Sequence, residues 1–513
     1  MSNLLDKASI ILTPTAYDNS KVLCVKPSDG SGDFDFSRNS AATRVNAQGL
    51  VENVQTISGN LLDYSTFTSP SASWSLVGGL WVFDDTANGY ILTPNIAVVV
   101  GDVFDVVVDV TIASGNANLR YSSGNAQTTL FPFTDFVDGV NEFRATITGV
   151  DGFLQRIFAP ASLTDNPFTL NSISIKKISQ DTNLPRINYE GGCGSWLFEP
   201  QSTNLVFQSN TLTAISGGVV TPNAAISPDG TTNAIKVNFS TGVNSGGTIS
   251  IGGSSAAAST EYTFSFYAKN FSGDGTFRLR LDTDTQATLV NEDFTATSDW
   301  VRYTHTFTTD AAASSFGSSS RFRNDTDNNE VLFFGMQLEQ QSYATSYIPT
   351  DGSTVTRNQD VCNNGGSLAS INSTEGVLYA EAAYNNSGIA SIISLTDGTN
   401  NNRVMIFWNT NNTIIFFIRV NSSYVAEYTI LSSEVDVSSF NKLAIKYKTN
   451  DMSFWLNGTK VATDTNGTMF SPNTLTKLAF NSGSDGVFFG KTKALAVWKE
   501  ALSDSELQSL TTI

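Results

Sequence analysis

Residues 185–206 read PRINYEGGCGSWLFEPQSTNLV. Pro185 opens the stretch, and Gly191, Gly192 and Gly194 interrupt it. Proline fixes φ and glycine admits φ > 0, so neither an uninterrupted helix nor a long strand fits here. Yet Ile187, Tyr189, Trp196, Leu197 and Phe198 make it too apolar for a free linker. A connector this apolar needs a packing partner, and its neighbours along the chain read as separate β-rich modules. The stretch is therefore predicted to belong to a central platform from which the modules hang.

Working outward, the flanking modules share a pattern. In the first, strand candidates fall at 103–112, 117–121, 142–147, 153–158 and 168–175. Phe143, Ala145 and Ile147 alternate with Arg144 and Thr146, the period of a half-buried strand. In the second, candidates fall at 248–251, 262–268, 277–281, 300–307 and 331–338. NLRYSS at 118–123 answers FRLRLD at 277–282, and EFRATIT at 142–148 answers RYTHTFT at 302–308. Leu119 to Leu279 and Phe143 to Tyr303 are both 160 residues apart, so the modules read as an internal repeat. Short alternating strands joined by Gly, Asn and Ser turns predict a sandwich or jelly roll.

Beyond residue 376 a third β domain follows. NKLAIKYKTNDMSFWLNGTKVA at 441–462 reads as three strands, the last two joined at Asn457-Gly458, a strong hairpin signal. The chain closes on a short helix, with Ser503 and Glu506 spaced as a capping box.

Composition agrees with this all-β reading. The 513 residues are 40% hydrophobic and only 15% charged, and carry 29 Lys and Arg against 47 Asp and Glu, a net charge of −18. No basic run is present, which argues against nucleic acid as a partner. No apolar stretch is long enough for membrane insertion or shaped as a signal peptide. Cys24, Cys193 and Cys362 are an odd number in separate regions, which argues against a disulfide scaffold.

Three pieces carry a resemblance: DFSRNSAATRV at 35–45, the PRINY and LFEPQSTNL segments at 185–189 and 197–205, and TSYIPTDGSTVTRNQDV at 345–361. Together, and in this order, they resemble segments of tail and fibre proteins of tailed bacteriophages. The chain departs from that pattern by carrying a whole module between the first and second pieces. The repeated modules, with DWVRYTHTF at 299–307 and FGMQLE at 334–339, resemble jelly-roll carbohydrate-binding modules. The end of the chain, a strand at 494–498 followed by ALSDSELQSL, resembles laminin-G-like, concanavalin-type sandwiches.

The expected organisation is tandem jelly-roll and β-sandwich domains on a small split platform. Residues 1–59 form a virion-anchoring and platform segment, 60–180 an inserted jelly roll, and 181–206 a connector. Residues 207–344 form a second jelly roll, 345–375 a second connector, and 376–513 the laminin-G-like sandwich. Residues 28–54, 185–206 and 345–361 are expected to pack together.

Sites of chemistry are sparse. His305 is the one histidine and alternates with Tyr303 and Phe307, which favours a structural role. No nucleophile elbow, phosphate loop or zinc motif occurs. A carboxylate pair of the glycosidase kind needs only spatial proximity, which a sequence does not display. Asp325 and Asp327, with Asp282 and Asp284, are weak calcium candidates, and no other cofactor is implied. Aromatic residues are the better lead, because sugars present apolar C–H faces to flat side chains. Trp74 and Trp81 flank the Gly78-Gly79 turn, with Tyr90 and Tyr121 as neighbours; these four are the candidate carbohydrate-binding residues, packing in the sandwich core being the competing reading for Trp81. Trp455 and Trp498 are assigned to core.

The resemblances imply a non-enzymatic virion protein, attached to head or tail and made in the host bacterial cytoplasm, that binds host surface glycans. Its partners are then capsid or tail proteins and further copies of itself, a trimer being favoured over a dimer. A polysaccharide depolymerase and a non-viral carbohydrate-binding protein are the alternatives.

Overall fold

The computed structural model describes residues 2–112, 115–161, 167–179, 182–215, 217–239, 245–284, 287–324, 329–385, 388–483 and 486–513. The protein is all-β, with short helices at Ser2–Lys7 and Asp504–Thr511. It divides into two compact units, one of residues 55–181 and one of residues 1–54 with 182–513.

The unit of residues 55–181 is a sandwich. One sheet orders the strands Gly89–Val98, Gly152–Ala159, Ala117–Ser122, Thr128–Phe136 and Thr148–Gly149. The other is built around Val103–Ile112, which pairs with Gly139–Thr146 and Phe168–Ser179. Along Val103–Ile112 buried positions alternate with more exposed ones, and the buried set faces the other sheet.

The second unit contains two sandwiches and what joins them. In the sandwich formed mainly by residues 207–339, one sheet orders Leu212–Ile215, Ser245–Ile249, Arg321–Asn324, Thr276–Asp282 and Thr288–Thr295. The opposite sheet centres on Asn329–Glu339 and Glu261–Ser272. Phe264, Phe266, Phe277, Phe322 and Phe333 fill the space between them. The C-terminal sandwich sets Ser391–Thr396, Arg403–Trp408 and Ile414–Val420 against a larger sheet whose centre is Glu375–Tyr384. The Asn457-Gly458 turn joins Met452–Leu456 to Thr459–Asp464, and the Ser503 capping box is present.

The expected connector at 181–206 is more than a connector. Gly191 and Gly192, at φ of 88° and 90°, turn the chain so that Ile187–Asn188 pairs with Ser195–Phe198. Ser195–Phe198 then extends the large C-terminal sheet by pairing with Gly490–Trp498. Ile10–Leu12 pairs with that same strand further along. Both additions cover what would otherwise be an open, aggregation-prone edge.

The three fibre-like pieces do pack together. Phe34–Ser37 pairs with Val361–Asn363, and Ser202–Asn204 pairs with Val355–Arg357. At their meeting point lies a buried ion-pair network. Arg38 Nη1 donates to Asp360 Oδ1 at 3.1 Å, and Arg186 Nη1 donates to Glu199 Oε2 at 2.7 Å. Arg186 also bonds Asp360 through Nη2, and the Glu199 amide donates to Asp360 Oδ2 at 2.8 Å. Arg357 stands 3.4 Å from Glu199 Oε2. Burying these charges is costly, and mutual pairing with further hydrogen bonds is what offsets it. The three cysteines are free thiols, Cys24 and Cys362 buried and Cys193 exposed.

Candidate functional site

The Gly78-Gly79 turn is present, with Trp74–Val77 and Leu80–Phe83 as its two strands. The tryptophans beside it correct the sequence expectation. Trp74 is 4% exposed and Trp81 6%, and both lie in the sandwich core. Trp74 packs on Phe83 and Phe168 at ring distances of 5.1 and 5.5 Å. Tyr121 is fully buried, its hydroxyl 2.9 Å from that of Thr93, and burial pushes its phenol pKa up. A ring enclosed on both faces has none left for a sugar, so these three residues are packing residues. The physical reason is the strand period: Tyr121 shares a face with Leu119, and Trp81 with Phe83.

Tyr90 alone of the four reaches the outside, and it does so in company. Its strand pairs with Gly152–Ala159, setting Tyr90 opposite Phe158 and Leu92 opposite Arg156. On the other side Arg120 is also opposite Phe158. The Arg156 guanidinium lies 4.3 Å from the centre of the Tyr90 ring. Arg120 lies 4.7 Å from Phe133 and 5.1 Å from Phe158, whose rings meet edge to face at 5.6 Å. Phe133 is 45% exposed. The outer face of this sheet thus interleaves Tyr90, Phe158 and Phe133 with Arg156 and Arg120.

The chemistry of that face suits a carbohydrate. Flat rings accept the C–H face of a pyranose, and guanidinium forks laid on aromatic rings supply directional N–H donors. Arg156 Nη1 is held by the Gly124 carbonyl at 3.0 Å, which fixes its plane. Sequence reasoning missed Phe133, Phe158, Arg120 and Arg156. The signal was available in NLRYSS: if Leu119 and Tyr121 face the core, Arg120 faces out.

The second unit holds a cleft of about 180 Å³ lined by residues of all three fibre-like pieces, including Arg44, Asn188, Glu190 and Tyr347, together with Tyr267, Arg302 and Lys491. Two of its cations are paired, while Arg302 bonds the Ser265 hydroxyl at 3.0 Å. Lys491 Nζ stands 2.8 Å from Glu190, and Arg44 Nε 2.9 Å from Glu52. Burial would raise the Glu190 pKa, but the neighbouring Lys491 and Arg302 hold it below the usual range.

His305 stacks on Phe307 with ring centres 6.4 Å apart. Asp325 and Asp327 lie outside the described residues, and the Asp282 carboxylate is taken by Arg280 Nε at 2.7 and 2.9 Å. Among the described residues no group of three or more His, Cys, Asp or Glu is placed to hold a metal ion.

Comparison with known proteins places the C-terminal sandwich. Residues 378–508 match the Laminin_G_3 family, described as the Concanavalin A-like lectin/glucanases superfamily. No curated protein matches the chain. Among solved structures, the CBM40 of the Ruminococcus gnavus IT-sialidase bound to α2,3-sialyllactose is similar over 28% of this chain and 84% of its own, at 18% identity and a TM-score of 0.24. The N-terminal CBM22 tandem of Paenibacillus barcinonensis Xyn10C is similar over 56% of this chain and 100% of its own, at 11% identity and 0.21. The Trypanosoma rangeli sialidase with sialic acid is similar over 93% of this chain and 96% of its own, at 9% identity and 0.23. TM-scores this low carry no argument about ligand or activity; the family match concerns residues 378–508 alone.

Proposed function

We propose that this is a structural protein of a tailed-phage virion, a head- or tail-attached fibre or appendage that binds host surface glycans without cutting them. The exposed aromatic and arginine face on the sheet of Gly89–Val98 and Gly152–Ala159 carries the binding half of this reading. The virion half is supported by the three fibre-like pieces, now joined in one buried network. In this reading residues 1–59 are the anchoring part, and their strand Ile10–Leu12 is paired within the large C-terminal sheet. The partners are capsid or tail proteins and two further copies of the chain.

Three measurements test the reading. Purified chain is incubated with host cells and with isolated host polysaccharide; Phe133→Ala with Phe158→Ala should abolish most binding while the melting temperature holds. Shortening of the polysaccharide would replace this reading with that of a depolymerase. Mass spectrometry of purified particles should find the chain in fixed stoichiometry to capsid or tail proteins, and light scattering should give three copies in solution.

A further inference from the structure

The second sandwich repeats the architecture of the first, and its corresponding sheet bears a different outer face. Thr276–Asp282 and Arg321–Asn324 are neighbours in register, with Arg278 opposite Arg323 and Arg280 opposite Arg321. Phe277, Leu279, Leu281 and Phe322 alternate with them and are buried in the core, so all four guanidiniums lie on the outer side. Arg280 stands 160 residues after Arg120, the repeat spacing. Like charges placed directly opposite across a sheet are destabilising. Two such pairs side by side, in a chain of net charge −18, break a local rule of sheet construction. Asp293 and Asp282 offset part of that repulsion by pairing with Arg278 and Arg280, and the repulsion that remains makes this face a candidate functional surface.

The way the arginines are held fits a receptor. Asp293 fixes Arg278 through Nε at 2.5 Å and Nη2 at 2.9 Å. Asp282 fixes Arg280 through Nε, leaving both its Nη groups without a hydrogen bond among the described residues. Arg321 donates from Nη1 to the Ser319 carbonyl at 2.8 Å, and its Nε meets no acceptor among the described residues. Arg323 Nη2 reaches Asn291 Oδ1 at 3.3 Å. Arg280, directly opposite Arg321, thus keeps its Nη donors on the outer side of the sheet, whereas the Arg321 Nε is buried. Burial, with Arg280 beside it, draws the Arg321 pKa down. An anion between the two forks would relieve that repulsion.

We propose that this arginine face is a second binding site, and that its ligand is the row of carboxylates along an acidic polysaccharide. The proposal rests on the glycan-binding reading above and adds the ligand class. A guanidinium fork matches a carboxylate in a bidentate, planar fashion that no neutral sugar offers. A polymer with one anion per sugar unit suits a site whose cations are spread over two adjacent strands.

The full chain is titrated with polygalacturonate, neutral dextran, dextran sulfate and duplex DNA at low and high salt. Polygalacturonate should bind more tightly than dextran and weaken as salt rises. Arg280→Gln and Arg321→Gln should each weaken it about tenfold, the scale of one charge-assisted hydrogen bond. Arg321→Gln should leave the melting temperature unchanged, because it removes a like-charge contact, whereas Arg280→Gln also strips the buried Asp282 of its partner and should lower it. Unchanged polygalacturonate affinity in both variants overturns the proposal, as does equal or tighter binding of dextran, dextran sulfate or DNA. If polygalacturonate fails to bind while host-cell binding still depends on Phe133 and Phe158, this inference falls and the glycan reading stands. If host cells are not bound either, both fall.

Discussion

Arg186 is among the largest fully buried side chains of the protein, and its surroundings explain how a charge is kept there. It donates to Glu199, Asp360 and the Ser346 hydroxyl, and Glu199 receives the Ser346 amide in return. Removing one member leaves the others charged and dry. Asp360→Asn should therefore cost about 3–5 kcal/mol, read as a fall in melting temperature. Replacing Arg186, Glu199 and Asp360 together by apolar residues of similar volume should cost less than that single change. The Glu199 carboxyl is also a pH marker. Burial pushes its pKa up, but Arg357, Arg186 and the Ser346 hydroxyl outweigh burial and hold it well below the usual range. A depressed carboxylate contributes stability above its unfolded pKa of about 4.3, and that stability is lost as pH falls towards the folded value. Melting temperature should thus be flat from neutral pH to about 5 and decline in stronger acid, and Glu199→Gln should lower the plateau and shrink that acid decline. At the candidate face the contrast is with Trp74. Trp74→Ala should cost about 3–5 kcal/mol of stability, whereas Phe133→Ala should leave the melting temperature near that of the parent and weaken the salt-insensitive part of host-cell binding.

The strands show what a sequence discloses and what it withholds. Alternation is local, so Val103–Ile112 and Thr276–Asp282 were legible, as were the Asn457-Gly458 hairpin and the final capped helix. The packing of the three fibre-like pieces was legible through their resemblance. Its chemistry was not, because Arg38 and Asp360 stand 322 residues apart and nothing local pairs them. The recruitment of Ser195–Phe198 and Ile10–Leu12 to a sheet built mostly after residue 374 was hidden for the same reason. Trp74 was misplaced because proximity to a turn was weighed above the period of the strand, whereas Trp81 lies in the core, as its competing reading had it. The unit of residues 55–181 supplies a test at this scale. Val54 donates to the Ala42 carbonyl at 2.9 Å, and Ser40 donates to the Thr182 carbonyl at 3.3 Å, so the chain leaves and re-enters beside one short segment. Replacing residues 55–181 by a short Gly/Ser bridge should leave a remainder that unfolds cooperatively, as calorimetry would show.

For the whole molecule, the two proposed binding faces should differ in their response to salt. Binding through Tyr90, Phe133 and Phe158 should change little with ionic strength, whereas binding through the arginine square should weaken as exposed charges are screened within about 10 Å at 0.1 M salt. Host-cell binding measured across a salt series should therefore fall to a plateau, and the plateau should vanish in a Phe133→Ala, Phe158→Ala variant. Many copies on one particle would convert weak single contacts into avidity gains of about 10²–10⁴. One strand pairing has a consequence of another kind. Ile10 is paired with Val497, so the strand Ile10–Leu12 waits for one made 497 − 10 = 487 residues later. At about 5–20 residues per second that wait is roughly 25–100 s. Throughout it the apolar Ile10–Leu12 stands without its partner, open to chaperones and to neighbouring nascent chains. A message broken before the codons for Gly490–Trp498 yields a product in which Ile10–Leu12 never closes, which makes synthesis of that strand a checkpoint on folding.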